Sequence, residues 1–515
     1  MAHSDSSMRV CLYLDPSRVF RWHLWLAEAL AALPGYEVFA VFAPESHPLP
    51  WACTLLFDLE RLVYGLNRHH AIEPAGALLH DAIRTEVDRT ATFDVVIDFA
   101  GDGTSLPPCT RVLLPCFDAV PGEMGLMTPL TDKKPPLVEV HDSTRPGAPW
   151  VARPALADRD VFSRSLDNAL SCAARLIAKA LQQPAVCTPN GDRGSWAAVL
   201  SGPVPQPPPV GADAAVRAAG ALARKIARLL GNLAMGGNSW AVAWRFTGSL
   251  SLLDRREAMF CMKPDDGHRY YADPFPFRHD GRNFVFVEEF PYATGRGCIS
   301  VFEIDAAGNA STPRPVLEEA HHLSYPFVFE LDGEIWMIPE AGEARGVYLY
   351  RAEQFPYKWK REACLIGDIE AYDTTMLRDG GRFWLFLCER AWNSTGWDTL
   401  SLFHSDSLTG TWLPHSCNPV LLDATLSRPA GAIFSHRGAQ LRPVQDCSRL
   451  YGGAVPLCRI DELGPQEFRQ TEVGRIHAGE WACHTYNRQG SIEVVDVFGR
   501  MRGLTSLPAF FAPAT

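Results

Sequence analysis

The chain has no CxxC pair, no GxGxxG, no P-loop and no unbroken apolar run long enough for a membrane span. Its 14 cysteines are scattered without regular spacing. That excludes a disulfide framework and a structural zinc site, and it points to reduced thiols in the cytoplasm. The missing nucleotide motifs leave no sequence support for a dinucleotide or nucleoside triphosphate. Basic excess is also absent: the net charge is −11, which argues against a nucleic-acid partner. The first residues, MAHSDSSMRV, lack the basic-then-apolar pattern of a secretory signal.

What is present is an ordinary globular balance over 515 residues, 47% hydrophobic and 21% charged, enough for two or three domains. The first half alternates strand and helix patterns. MRVCLYL, YEVFAVFA, FDVVIDFAG and RVLLP read as buried strands. VFRWHLWLAEALAAL and DVFSRSLDNALSCAARLIAKAL carry helical periodicity. This alternation predicts an open, mostly parallel, Rossmann-like α/β sheet over residues 1–187. A Pro/Gly-rich linker and a basic-sided helix fill 188–237. The helix reads as a packing element, with peripheral membrane contact as its alternative.

Beyond residue 238 helical patterns fade and hairpins recur. The copies are DPFPFRHDGRNFVFVEE, YPFVFELDGEIWMIPE, DTTMLRDGGRFWLFLCE, AGAIFSHRGAQLRPVQD and HTYNRQGSIEVVDVFG. Their turn glycines, 281, 333, 381, 438 and 490, stand 52, 48, 57 and 52 residues apart. A repeat of about 50 residues with room for four strands is the mark of a propeller blade. The fold class is therefore a multidomain α/β plus all-β chain, with a five-bladed β-propeller over 238–515. SWAVAWRFTG (239–248) is the expected closing strand, and Phe284, Phe286, Trp336, Ile338, Trp384 and Phe386 are expected to fill the spaces between blades.

In such a ring the start and the return end of every hairpin reach one face. The starts supply Asp273, Tyr325, Asp373, Arg428 and His484. The returns supply Glu288 and Glu289, Glu340, Glu389, Asp446 and Asp496. Carboxylates among aromatic residues suit sugars, and a pair with separated protonation states runs acid–base chemistry at a glycosidic bond. Asp273, Asp373, Glu340 and Glu389 are the catalytic candidates. Glu289, Tyr325, Arg428, Asp446 and His484 are the substrate-binding candidates. Arg428 either neutralises the ring or clamps a substrate anion. No metal or cofactor is expected.

ADPFPF, YDTT and SRPAG resemble the five-bladed furanosidase superfamily. With HLSYPFVFELDGEIWMIPEA and LYRAEQFPYKW, they more closely resemble the propeller domain of the glucosamine inositolphosphorylceramide transferase family. The resemblance implies an Asp base or nucleophile at Asp273 and an orienting Asp at Asp373. It also implies a Glu acid on a later blade. The later starts read Ser427-Arg428-Pro429 and His484-Thr485, so the acid is expected from a return end, Glu340 or Glu389. The first half is faintly similar to formyltransferase domains, with His141-Asp142 as its candidate pair. The expected function is action on a glycan or glycolipid, by glycosyl transfer or hydrolysis. The alternatives are a non-catalytic glycan-binding module, or formyl transfer to an amino sugar with formyl-tetrahydrofolate in the N-terminal domain.

Overall fold

Strand-length apolar runs and long amphipathic runs divide this chain into two compact units, Met1–Ala227 with Trp392–Thr395, and Arg228–Ala391 with Gly396–Thr515. The computed structural model describes residues 7–183 and 238–514 apart from positions 50, 67–69, 86, 102, 104, 249, 264 and 501–503, with 220 and 223 besides. The Pro-rich linker and the basic-sided helix expected over 188–237 lie outside the described residues, 220 and 223 excepted.

In the first unit, Met8–Leu14 is the central strand, buried along its last five residues. Tyr36–Phe42 and Phe93–Asp98 flank it in parallel, and Cys109–Phe117 extends the sheet in parallel. Val138–Asp142 and Trp150–Ala152 then add antiparallel strands. The sheet is thus mixed: its four parallel strands fit the expected mostly parallel sheet, and the antiparallel strands beyond Cys109–Phe117 add to it. Helix Phe162–Gln182 covers it with Leu166, Leu170, Ala173 and Ile177 fully buried. Asp142 is buried against Arg111 at 2.6 Å and accepts the Thr144 hydroxyl. Its carboxylate is committed to structure, so His141-Asp142 is not a free catalytic pair.

The second unit is sheet-rich and propeller-like. Each hairpin of the repeat begins a run of antiparallel strands; the first two sheets have four strands, the third has five, and the last two runs share one sheet. The first runs Arg269–His279, Arg282–Pro291, Cys298–Ile304, Arg314–Leu317. The second is Ser324–Leu331 to Lys358–Gly367, and the third begins Ala371–Asp379, Arg382–Glu389, Thr399–Ser405. The fourth runs from Phe434–His436 to Phe468–His477. The fifth joins Tyr486–Gln489 and Ile492–Gly499 to Ser239–Phe246 and Glu257–Lys263. The expected closing strand therefore closes the ring, pairing antiparallel with Ile492–Gly499. Ser506–Pro513 lies between Phe468–His477 and Glu257–Lys263 and fuses the last two sheets.

Hydrophobic burial between neighbouring sheets holds the ring. Phe284 and Phe286 of the first meet Phe327 and Trp359 of the second. Ile338 and Leu349 meet Leu385 and Leu387 of the third. Trp384 and Phe386 meet Phe468 of the fourth. Val455 and Leu457 meet Val495 and Val497 of the fifth. Val242 and Val494 return to Val285 and Phe302 of the first. Trp336 packs partly buried against the core between the second and third sheets. All five repeat glycines sit at positive φ, and a Cβ added at any of them would have nothing within 4 Å, as open hairpin turns require.

Candidate functional site

The first strand of three hairpins contains the same irregularity. Register shifts fall between Ala272 and Phe275, between Ser324 and Phe327, and between Tyr372 and Thr375. Each bulge holds one residue in the left-handed region: Asp273 at φ 50°, Tyr325 at 44° and Asp373 at 51°. Asp tolerates this conformation better than most residues, and Tyr does not. Bulges re-aim side chains, and here all three residues are buried.

Asp273 has several partners. Its Oδ2 accepts the Tyr325 backbone N–H at 3.2 Å, and its Oδ1 accepts the Thr485 hydroxyl at 2.8 Å. Its own N–H donates to Asp496 at 3.0 Å. His484 lies between the two carboxylates, with Nε2 3.3 Å from Asp273 Oδ1 and Nδ1 2.7 Å from Asp496 Oδ2. Trp240 covers its ring at a centroid distance of 4.0 Å. Asp373 Oδ2 accepts Arg428 Nε at 2.6 Å and Gln445 Nε2 at 2.7 Å. Its N–H donates to Glu340 at 3.2 Å.

Burial and charge separate the protonation states. Burial pushes Asp273 up to about 6, with the nearby His484 opposing and Asp373 and Asp496 adding. Burial holds Glu340 well above the ordinary range, reinforced by Asp373 and opposed by Arg428. Glu288 is raised in the same way, by burial and then by Asp273. For His484 burial alone favours the neutral ring, but Asp496 and Asp273 outweigh it and lift the imidazole to about 9. Burial thus favours the acid forms of Glu288 and Glu340, while Asp273 is raised to about 6.

Asp273, His484 and Asp496 each offer one ligand atom within 4.8 Å of the others, a grouping able to hold a metal ion. Both imidazole nitrogens face carboxylates, however, which suits a doubly protonated ring. A metal there would have to displace one of those protons.

By sequence, residues 259–490 match the family model described as glucosamine inositolphosphorylceramide transferase 1, N-terminal. This segment is similar to that domain family. The resemblance read from its motifs is thereby borne out. The transferase of Oryza sativa subsp. japonica is 34% identical over 220 residues, which cover 41% of this chain and 29% of the relative. The Arabidopsis thaliana protein is 33% identical over 212 residues, 40% and 27%. The chain thus spans less than a third of the length of these relatives. Among solved structures, a family 117 glycoside hydrolase from Zobellia galactanivorans gives a TM-score of 0.34 at 11% identity, covering 47% of this chain and 90% of that one. An exo-1,5-alpha-L-arabinanase from a bovine ruminal metagenomic library gives 0.33 at 14%, covering 49% and 95%.

Within the segment matched to the transferase N-terminal family, the five hairpin starts named from sequence converge. Asp273, Tyr325, Asp373, Arg428 and His484 are all buried, Asp273 in contact with Tyr325 and His484, Asp373 with Arg428, and the charge of Asp373 is felt at Asp273. The return ends divide. Glu288 pairs with Ala272, and Glu340 pairs with Ser324, both one residue before the bulge. Both join the axial cluster. Glu289 and Glu389 stand one residue further along and turn away. Glu289 is taken by Arg269 at 2.5 Å and Ser300 at 2.6 Å, and Glu389 by Ser401 at 3.0 Å. The structure therefore places Glu288, not Glu289, in the cluster, and leaves Glu340 as the acid candidate in place of Glu389. Asp446 is likewise displaced: it binds Ser448 and Arg475, and Gln445 takes the axial position. Arg428 donates to Asp373, the Gly396 carbonyl and the Tyr451 hydroxyl. Its guanidinium lies against Asp373, with Glu340 3.6 Å away, which fits the neutralising role of the two expected for it. Sequence reasoning missed Gln445, Thr485 and Tyr451, which carry no repeat signal.

Proposed function

We propose that the propeller-like unit is a carbohydrate-active module that acts on a glycan or glycolipid at the axial cluster, by glycosyl transfer or hydrolysis. Glu340 is the proton donor, Asp273 the base or nucleophile, and Asp373 the carboxylate that orients the site. The observation that carries this reading is the difference between two buried carboxyls of one cluster: burial and Asp373 raise Glu340 well above the ordinary range, while Asp273 is raised to about 6. The similarity to the N-terminal domain of a glycolipid-named transferase supports the substrate class. The free cysteines among the described residues support a reducing compartment, and we propose the cytoplasm.

A second reading has its own observation. Both Asp273 oxygens already accept internal hydrogen bonds, as suits a cluster that binds sugar without cleaving it. Incubating wild type, Asp273→Asn and Asp373→Asn with a glycan and glycolipid panel, followed by mass spectrometry, separates the two. The enzymatic reading expects product in wild type, a loss of at least about a hundredfold in both variants, and a rate that rises with pH through about 6. Binding without product, weakened in the variants, selects the binding module. Indifference to both substitutions overturns the axial site.

A further inference from the structure

The first unit contains a cleft of about 530 Å³, within the ordinary size range of small-molecule sites. Ser17 and Phe20 line it from the segment after Met8–Leu14, and Pro48 and Leu49 from the segment after Tyr36–Phe42. Both segments follow parallel strands, and open α/β sheets bind ligands beyond the carboxyl ends of such strands. Helix Trp51–Tyr64 makes a second wall. Its Thr54, Phe57, Asp58 and Arg61 fall on one helical face and all line the cleft. His70, Ile72, Glu73 and Pro74 make the third wall. That wall is tied down: the Arg21 and Trp22 N–H groups donate to the Glu73 and Ala71 carbonyls, and the Ala75 N–H to Val19.

The lining is apolar below and charged above. Phe20, Phe57 and Ile72 are buried, while Ser17, Thr54 and Asp58 are exposed. The His70 ring stacks near Phe57 at a centroid distance of 6.1 Å. Glu73 is occupied by Arg21, whose Nε donates to it at 2.7 Å. Arg61 is not matched in this way. Asp58 approaches its guanidinium only to 3.5 Å, beyond the ordinary hydrogen-bond range of about 2.7–3.2 Å, and that Asp58 side chain is 63% exposed. Arg18, Arg21 and Arg111 of the same unit each give their Nε–H to a carboxylate. Among the described residues, Arg61 Nε and His70 Nδ1 have no hydrogen-bond partner. Burial lowers the His70 midpoint, with Glu73 opposing and Arg61 and Arg21 adding, so the positive charge of the lining is that of Arg61.

We infer that this cleft binds a small organic monoanion, an aryl or acyl carboxylate. The carboxylate takes the guanidinium of Arg61, which matches it with two parallel N–H groups. The apolar body lies on Phe20, Phe57 and Ile72. One guanidinium beside Asp58 and Glu73 suits a single negative charge better than the near-double charge of a phosphate monoester. The site does not depend on the glycan reading and stands or falls separately from it.

The test is saturation-transfer NMR on the full chain, with naphthoate, phenylbutyrate, naphthamide and naphthyl phosphate as probes. Both carboxylates should bind with dissociation constants of about a millimolar. Naphthamide, the same body without the charge, should bind at least about tenfold more weakly than naphthoate. Arg61→Gln should remove that preference and leave naphthamide binding unchanged. Thr54→Trp, which fills the cleft from an exposed helix position, should abolish binding of both. Arg164→Gln, at an exposed arginine of the same unit, should change neither. Absence of binding by both carboxylates overturns the proposal. Equal affinity for naphthoate and naphthamide, a preference that survives Arg61→Gln, or binding indifferent to Thr54→Trp does the same. Naphthyl phosphate binding more tightly than naphthoate overturns the choice of a monoanion.

Discussion

His484 shows how one residue ties the axial site to the stability of the ring. Its midpoint is lifted from 6.5 to about 9 because Asp496 and Asp273 outweigh the cost of burial. A raised imidazole stabilises the fold fully below pH 6.5 and loses that contribution as pH rises through about 9. Wild type should therefore exceed His484→Gln in melting temperature most clearly at pH 6, less at pH 8, and hardly at pH 10. A gap between the two proteins that widens with pH would mean that the ring is buried neutral. Asp273 belongs to the same scale. Its position after Ala272 and before Pro274 was legible as a strand start, and its partners were not. Thr485 and Asp496 are over two hundred residues away in sequence, and only ring closure brings them within hydrogen-bond reach.

Among the elements, the hairpins were the most readable part of the chain. Strict alternation and a turn glycine fix pairing and register locally, and each repeat glycine adopts the expected positive φ. The bulges were not readable, and they decide the site. An extra residue at Asp273, Tyr325 and Asp373 shifts the frame by one. That single step sends Glu288 and Glu340 to the axis, and Glu289 and Glu389 away from it. In the fourth sheet the same question of frame gives the axis to Gln445 rather than Asp446. The antiparallel additions to the first unit's sheet were not read for a related reason. The pattern of Val138–Asp142 marks a strand but not its direction.

Gly431 shows what this level of structure demands. Its φ is 142°, its N–H donates to the Tyr325 hydroxyl at 2.6 Å, and a Cβ would stand 2.2 Å from the Tyr486 carbonyl. Gly431→Ala should cost at least about 2 kcal/mol in urea denaturation, through backbone strain and forced movement of the neighbouring strand. Gly438→Ala, at an open turn, should cost only about 1 kcal/mol. Equal losses would mean that the close approach at Gly431 is relieved by an easy shift.

The whole second unit is closed twice. Ser239–Phe246, from its beginning, completes the fifth sheet, and Ser506–Pro513, from its end, joins the fourth sheet to the fifth. Removing residues 504–515 opens a seam through the core that holds Phe260, Ile476 and Leu507. Calorimetry should show a second-unit transition lowered by several degrees, since about 1 kcal/mol moves a midpoint by roughly 2–4 °C in a domain of this size. An unmoved transition would show that the last strand contributes nothing to closure.

The five open turns at Gly281, Gly333, Gly381, Gly438 and Gly490 have a practical use. Each lies at the opposite end of its hairpin from the buried carboxylates, and none has a neighbour near its missing side chain. Exposed tips of this kind accept inserted sequence more readily than any other part of a sheet. A dye, an affinity peptide or a surface tether placed there would hold the ring by its turns and leave the acid cluster untouched.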